Sequence, residues 1–327
     1  MNKLMIAVTL AVLLALLAGC APATTPAGKG AVQTPEAATP GAPGLFLGLT
    51  PPGRQAVVFA PGVVSIEDGK EYKIAISPDL QEVFFTRRTP GKQDDRLWHS
   101  RMEDGKLSTP VLAPFAYDAL ESDACFTQDG DRVYFNSRRP TPGQTALSSR
   151  LNLWFVEREG DGWGEAQFLD SRLNDYRPVY CSIAEDGTMY FTRSSPRQIW
   201  YAELVGGQYA EAQALPGGIN RLPDVAHPAA APDESYVIVD SYQEKGGRLV
   251  GALYVSFRLP DGVWSQALSL AQALGASETD VYASARVSPD GKYLFFESYL
   301  RETDQADIYW VSTEVLDELR RQALGEG

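Results

Sequence analysis

One short unit recurs five times along this chain of 327 residues, and few folds can absorb such a period. The copies are "SPDLQEVFFTRR", "TQDGDRVYFNSRR", "AEDGTMYFTRS", "APDESYVIVDS" and "SPDGKYLFFES". Their aspartates, Asp79, Asp129, Asp186, Asp233 and Asp290, are 50, 57, 47 and 57 residues apart. Self-similarity at such a spacing marks a repeat architecture. In every copy a small-residue strand precedes a tight turn. Asp there bonds nearby amides, Pro pre-sets φ and Gly supplies positive φ. A β-branched and aromatic strand follows, as in "EVFFTR" and "YLFFES". A third strand carries the aromatics of "RLWHSRM", "NLWFVER", "QIWYAEL", "ALYVSFR" and "DIYWVST", and a polar turn leads to a short fourth. Four short antiparallel strands per unit make the blade of a β-propeller.

The fifth unit lacks its fourth strand, because the chain turns there to a short C-terminal helix, "TEVLDELRRQ". An orphan strand-like segment, "RQAVVFAP" (Arg54 to Pro61), precedes the first unit. The expectation is an all-β, five-bladed propeller in which Ala56–Ala60 completes the last blade and leaves no long open edge. Six blades are the alternative. The propeller takes residues 45–327 as one domain.

Residues 1–19 read as an export signal. A short basic start precedes the apolar run Leu4 to Leu16, too short for a comfortable membrane span. "LAGC", Leu17 to Cys20, resembles the bacterial lipobox, which implies cleavage before Cys20 and lipidation of its thiol. Two or three acyl chains hold a protein stably on a bilayer at about 0.8 kcal/mol per buried methylene. The expectation is a lipid-anchored envelope protein. Since Ala21 and not Asp follows the cysteine, it is placed on the periplasmic face of the outer membrane in a Gram-negative host, or otherwise on the outer face of the plasma membrane. Residues 20–44, poor in large apolar groups, read as a disordered Pro/Ala/Thr-rich tether.

Charge and cysteines narrow the classes further. With 29 Lys+Arg against 42 Asp+Glu the net charge is −13, which argues against a nucleic-acid surface. His99 and His227 are the only histidines. No metal-ligand spacing, phosphate loop or nucleophile elbow is found, so no cofactor and no metal are expected. The folded part is expected to be a monomer. Cys125 and Cys181 fall in the inner strands of neighbouring blades, and two reduced buried thiols are expected, with a disulfide as the alternative.

The units resemble the Pro-Asp-motif repeats of TolB-like, WD-repeat-like β-propellers. The stretch 132–194, with "YFNSRRP", "NLWFVEREGDGWGEAQFL" and "AEDGTMYFTRS", carries most of the likeness. "LGLTPPGRQAVVFAPGVVS" and "DIYWVSTEVLDEL" resemble the openings and closings of exported bacterial members. The resemblance covers about 45–320 and implies the fold. It leaves function open, since such folds host many activities.

Candidate functional residues come from position in the repeat. The five turn aspartates are read as turn formers. Trp98, Trp154, Trp200 and Trp310, with Tyr254 in the remaining unit, are read as inter-blade packing. Six residues before each aspartate lie Lys73, Asp123, Tyr180, His227 and Ser284. All are polar, at the start of the innermost strand, where a propeller opens its central channel. Glu71, Glu121, Asp224 and Asp280 lie nearby. Convergent polar groups at a concave mouth are a default binding site. Arg87, Arg88, Arg138, Arg139 and Arg193 end second strands and suggest an anion-binding rim, or pairs with neighbouring carboxylates. The leading expectation is a non-catalytic module that binds a protein, peptide or glycan. The alternative is a glycoside hydrolase using Asp123 with Glu121 or Asp224, which requires two carboxylates about 5–9.5 Å apart.

Overall fold

The computed structural model describes residues 44–88, 95–170, 172–245, 248–276, 281–300 and 305–326. The signal, Cys20 and the tether lie outside them, and so does Asp280. The fold is an all-β propeller built of similar sheets. From the channel outwards the first sheet runs Lys70–Ile76, Glu82–Arg88, Asp95–Glu103 and Val111–Leu112. The second runs Glu121–Phe126, Arg132–Ser137, Asn152–Glu159 and Gln167–Phe168. The third runs Pro178–Ile183, Met189–Ser194, Arg197–Ala202 and Gln213–Ala214. The fourth runs Val225–Ala230, Tyr236–Lys245, Arg248–Phe257 and Leu268–Ser269. The fifth runs Val281–Val287, Tyr293–Leu300 and Gln305–Ser312.

Beyond that last strand lies Val57–Val58, whose residues pair antiparallel with Trp310 and Tyr309. The amide of Phe59 donates to Ile308 O at 2.8 Å. Phe59 is fully buried and meets Phe295 and Trp310 edge-on at 5.2 and 5.4 Å. Burying a side chain of this size is worth about 1.5–3 kcal/mol. The inner strands neighbour one another in chain order, and the fifth lies beside the first. A single parallel pairing, Lys70 with Ala306, also joins the first and fifth sheets.

Each turn is built as its sequence predicts. The Oδ1 atoms of Asp79, Asp129, Asp186, Asp233 and Asp290 accept from the amides two residues on, at 2.9–3.2 Å. Gly130, Gly187 and Gly291 then take positive φ, while Leu80 and Glu234 adopt it in the copies without glycine. Three sheets repeat a further device. The guanidinium groups of Arg87, Arg139 and Arg193 lie 4.9, 5.2 and 5.0 Å from the ring centres of Trp98, Trp154 and Trp200. The third-strand tryptophans thus support the arginines as well as the packing. After Ser312, whose hydroxyl accepts from the Glu314 amide, the chain ends in the helix Asp317–Leu324. The preceding Val315 and Leu316 are buried against Tyr236, Phe257 and Leu294.

Candidate functional site at the channel mouth

All five inner strands carry a β-bulge at the same place. Two residues oppose one between Tyr72 and Ala75, Ser122 and Cys125, Val179 and Ser182, Ala226 and Ala229, and Ala283 and Arg286. The first bulged residue in each is Lys73, Asp123, Tyr180, His227 or Ser284. Each has positive φ, from 49° to 62°. No glycine occupies these positions, and a left-handed backbone costs an L-residue about 1–2 kcal/mol. A bulge re-aims its side chain, and five such bulges direct five polar groups to one end of the channel.

The second strands supply what holds these bulges. Thr86, Asn136, Thr192 and Asp240 each accept the amide of the bulged residue in the next sheet. The bonds run from Asp123, Tyr180, His227 and Ser284 at 3.3, 3.1, 3.1 and 3.3 Å. Glu297 occupies the matching position in the fifth sheet, opposite Ala283. Threonine and asparagine suffice for this task, so the carboxylates Asp240 and Glu297 bring additional chemistry.

The mouth encloses about 230 Å³, lined by residues that include Tyr72, Lys73, Tyr180, His227, Ser284 and Glu297. Lys73 Nζ donates to Asp123 Oδ2 at 3.2 Å and lies 4.2 Å from the centre of the Tyr180 ring. Burial opposes its charge, but Asp123 prevails and holds its pKa above the ordinary lysine value. The Tyr180 and His227 rings are 3.8 Å apart. His227 Nδ1 is 2.7 Å from Asp240 Oδ2, which also accepts from the Tyr242 hydroxyl at 2.9 Å. Burial lowers the His227 pKa, with Asp240 opposing. Burial works against ionisation of Asp240 too, but His227, Tyr242 and the Ser284 amide keep its pKa low. A neutral imidazole donating from Nδ1 to a carboxylate presents Nε2 as an acceptor. Burial pushes Glu297 up to about 7 against the pull of Lys73. The Ser284 hydroxyl is buried beside the Glu297 carboxyl, whose ionised form it favours against burial. The mouth therefore offers an ammonium donor, an imidazole acceptor, a carboxyl group poised near neutrality and aromatic faces.

The positions six before each turn aspartate do converge, with Asp123 reached through Lys73. Their companions do not. Glu71 and Glu121 are fully buried, bonded to Arg87 (2.7 Å) and Arg139. Asp224 pairs with Arg197 at 3.0 Å on a half-exposed site. Glu121 and Asp224, the partners considered for Asp123, are thus each held by an arginine, Arg139 and Arg197. Of the two readings of the arginines, pairing with neighbouring carboxylates holds for Arg87, Arg88 and Arg139, and the anion-binding rim does not. Arg87 and Arg139 are buried and also bond the carbonyls of Val64 and Phe115. Arg88 is tied to Asp95 at 2.8 Å, Arg193 lies over Trp200, and Arg138 is exposed. Asp240, Tyr242 and Glu297 were not singled out by sequence. Their signal was present, because Asp240 and Glu297 stand seven residues after their turn aspartates, where the first two copies place Thr86 and Asn136 and the third, one residue shorter, has Thr192 six after Asp186. Cys125 and Cys181 are free and buried in one hydrophobic cluster. No cluster of three or more metal-ligating side chains occurs among the described residues.

No family model and no curated protein matches the chain. Solved structures are similar to it over most of its length. The catalytic domain of a GH62 α-L-arabinofuranosidase from Coprinopsis cinerea is 10% identical, with a TM-score of 0.49 over 80% of this chain and 98% of that one. A thermostable family-43 glycoside hydrolase is 12% identical, with a TM-score of 0.47 over 77% of this chain and 90% of that one. A gluconolactonase from Xanthomonas campestris is 13% identical, with a TM-score of 0.40 over 76% and 87%. At these identities and TM-scores none of them bears on the ligand or chemistry of this chain.

Proposed function

We propose that this chain is a lipid-anchored propeller of the cell envelope that binds a small polyhydroxylated ligand, of the size of one or two sugar units, at the mouth of its channel. One observation carries the reading: five strained bulges bring Lys73, Tyr180, His227 and Ser284 to one polar, aromatic-walled cavity, with Asp123 behind Lys73. Strain repeated at equivalent positions is a functional signal. Aromatic faces flanked by donors and acceptors suit the alternating apolar and hydroxyl surface of a sugar. Calorimetric titration with mono- and disaccharides tests it: saturable binding that His227→Ala weakens at least tenfold is expected, and no binding across a broad saccharide panel overturns it.

A second reading is glycoside hydrolysis, favoured by Glu297. A carboxyl group raised to about 7 beside Asp123 and Asp240 suits a general acid. Release of reducing sugar that Glu297→Gln abolishes would replace the binding reading with this one.

The scaffold of the proposal is a five-bladed ring of the TolB-like class, closed by Val57–Val58. Removing residues 21–43 is expected to leave the melting temperature unchanged. Removing everything from 21 through Ala60 is expected to cost several kcal/mol by opening a sheet edge and stripping Phe59 from Phe295 and Trp310. Equal stability of the two truncations overturns the closure. The anchor is tested by Cys20→Ser, which should move the protein from the membrane fraction to the soluble one.

A further inference from the structure

We infer that the throat of the channel, below the mouth, holds a small monovalent anion such as chloride on the free edge of Arg286. Arg286 follows Ser284 by two residues on the inner strand of the fifth sheet, and its side chain is only 8% exposed. Nη1 donates to Ala285 O at 2.8 Å. Nε and Nη2 have no hydrogen-bond partner among the described residues. These two atoms form the side-on edge of the guanidinium, two parallel N–H groups suited to one shared acceptor. The nearest carboxylate oxygen recorded for this group, Asp123 Oδ1, is 3.9 Å from Nη2, outside hydrogen-bond range. The other oxygen of Asp123 already accepts from Lys73 Nζ and from the Ser122 hydroxyl. Arg286 thus meets Asp123 only at a distance, while Lys73 holds that carboxylate by a hydrogen bond.

The space at this edge has the right size and sign. A cavity of about 60 Å³ is lined by all five inner strands and bounded by the turn prolines Pro78, Pro232 and Pro289. Arg286 is the one charged residue in that lining, and no carboxylate faces it. Room for about two waters, at about 30 Å³ each, accommodates one halide and a water. A buried cation lacking a full counter-charge is costly, and a captured anion removes that cost. The ligand class follows from the free edge and the space: two parallel N–H groups suit one compact anion, and a compact ion matches the volume. The site shares Asp123 with Lys73 of the mouth, but rests on no saccharide bound there.

Crystals of the full chain grown in sodium bromide test the site directly. One anomalous peak within hydrogen-bonding reach of Arg286 Nε and Nη2 is expected, and a throat filled by water alone, without anomalous signal, overturns the inference. In solution, the melting temperature of the full chain should rise with chloride replacing gluconate at constant ionic strength, as ligand linkage requires. Arg286→Gln should lose that dependence, with Arg286→Met as the second variant should the glutamine form fail to fold. Parallel chloride dependence in the parent and either folded variant overturns it.

Discussion

Glu82 and Glu297 are the same chemical group in two regions of the molecule, and the protein treats them in opposite ways. Glu82 starts the second strand of the first sheet and is 2% exposed. It receives His99 Nε2 and Arg158 Nη2 at 2.6 Å each and Trp163 Nε1 at 3.2 Å. Burial alone would raise its pKa, but these hydrogen bonds prevail and hold it at about 2. Arg158 and Trp163 belong to the second sheet and the hairpin that follows it, so Glu82 fastens one sheet to the next. Glu297, at the mouth, is pushed the other way, to about 7. The difference is one of completeness. The seam has a donor for each oxygen of its carboxylate, whereas at the mouth burial outweighs Lys73 and Ser284 around Glu297, and the His227 Nε2 acceptor is turned to the cavity. Unused capacity is what a ligand can take up, and proteins tolerate it where function requires it.

The largest break in this comparison comes from the seam. Glu82→Ala leaves Arg158, His99 and Trp163 facing a void, and removing one partner of a buried ion pair costs about 3–5 kcal/mol. Urea unfolding should show a loss of that order with ligand binding at the mouth intact. A loss below about 1 kcal/mol would mean that the seam is no more finished than the mouth.

Glu297→Gln probes the other side and should act with the opposite sign. A carboxyl with a folded pKa of about 7 and an ordinary value of 4.5 stabilises the fold fully below 4.5. That contribution is lost as the pH rises through 7, because the folded state must then give up a proton that the unfolded state has already lost. At pH 8.5 the glutamine variant should therefore be more stable than the parent by about 1–3 kcal/mol, since each pKa unit corresponds to 1.36 kcal/mol. At pH 4 the two should converge. Glu71, also raised to about 7 by burial with Arg87 opposing, titrates in the same window. The difference between variant and parent, not the parent curve alone, isolates Glu297. Equal stability at both pH values would place Glu297 in the same class as Glu82.

Much of the fold and the ring at the mouth was legible in the chain, the contrast between Glu82 and Glu297 was not, and the limits of legibility have physical causes. The turns could be read because Asp, Pro and Gly act on their own neighbours within two residues. The ring at the mouth could be read because the repeat fixes which position starts each inner strand. The role of Arg87 and Arg139 could be read only as one of two alternatives, because whether an arginine at a strand end turns outward or folds back over Trp98 or Trp154 depends on the third strand and the buried glutamate beside it. Asp240 was hidden for a related reason. In "YVIVDS" it looks like a solvated strand end, and only the register Ala226 to Asp240 sets it beside His227. The bulges were invisible too, since no glycine marks them and the strain is held by acceptors in the preceding sheet.

The smallest expected effect sharpens the comparison by removing charge without burial. Arg132 and Glu157 pair across the second sheet at 2.5 Å, with side chains 34% and 49% exposed. The geometry is as short as any at the seam, so a reading based on contact distance alone would rank this pair beside Glu82 and Arg158. Solvent argues otherwise. Water hydrates both partners when the pair is broken, and double-mutant cycles on exposed pairs give about 0.2–1 kcal/mol. A cycle of Arg132→Ala and Glu157→Ala should return a coupling within that range that shrinks in 1 M salt, where screening acts over about 3 Å. The corresponding cycle of Glu82→Ala and Arg158→Ala should return a larger coupling that salt scarcely changes. Should the two cycles agree in size and salt dependence, burial would not be what separates the seam from the surface, and the assignment of the mouth by its unmet hydrogen-bonding capacity would lose its physical basis.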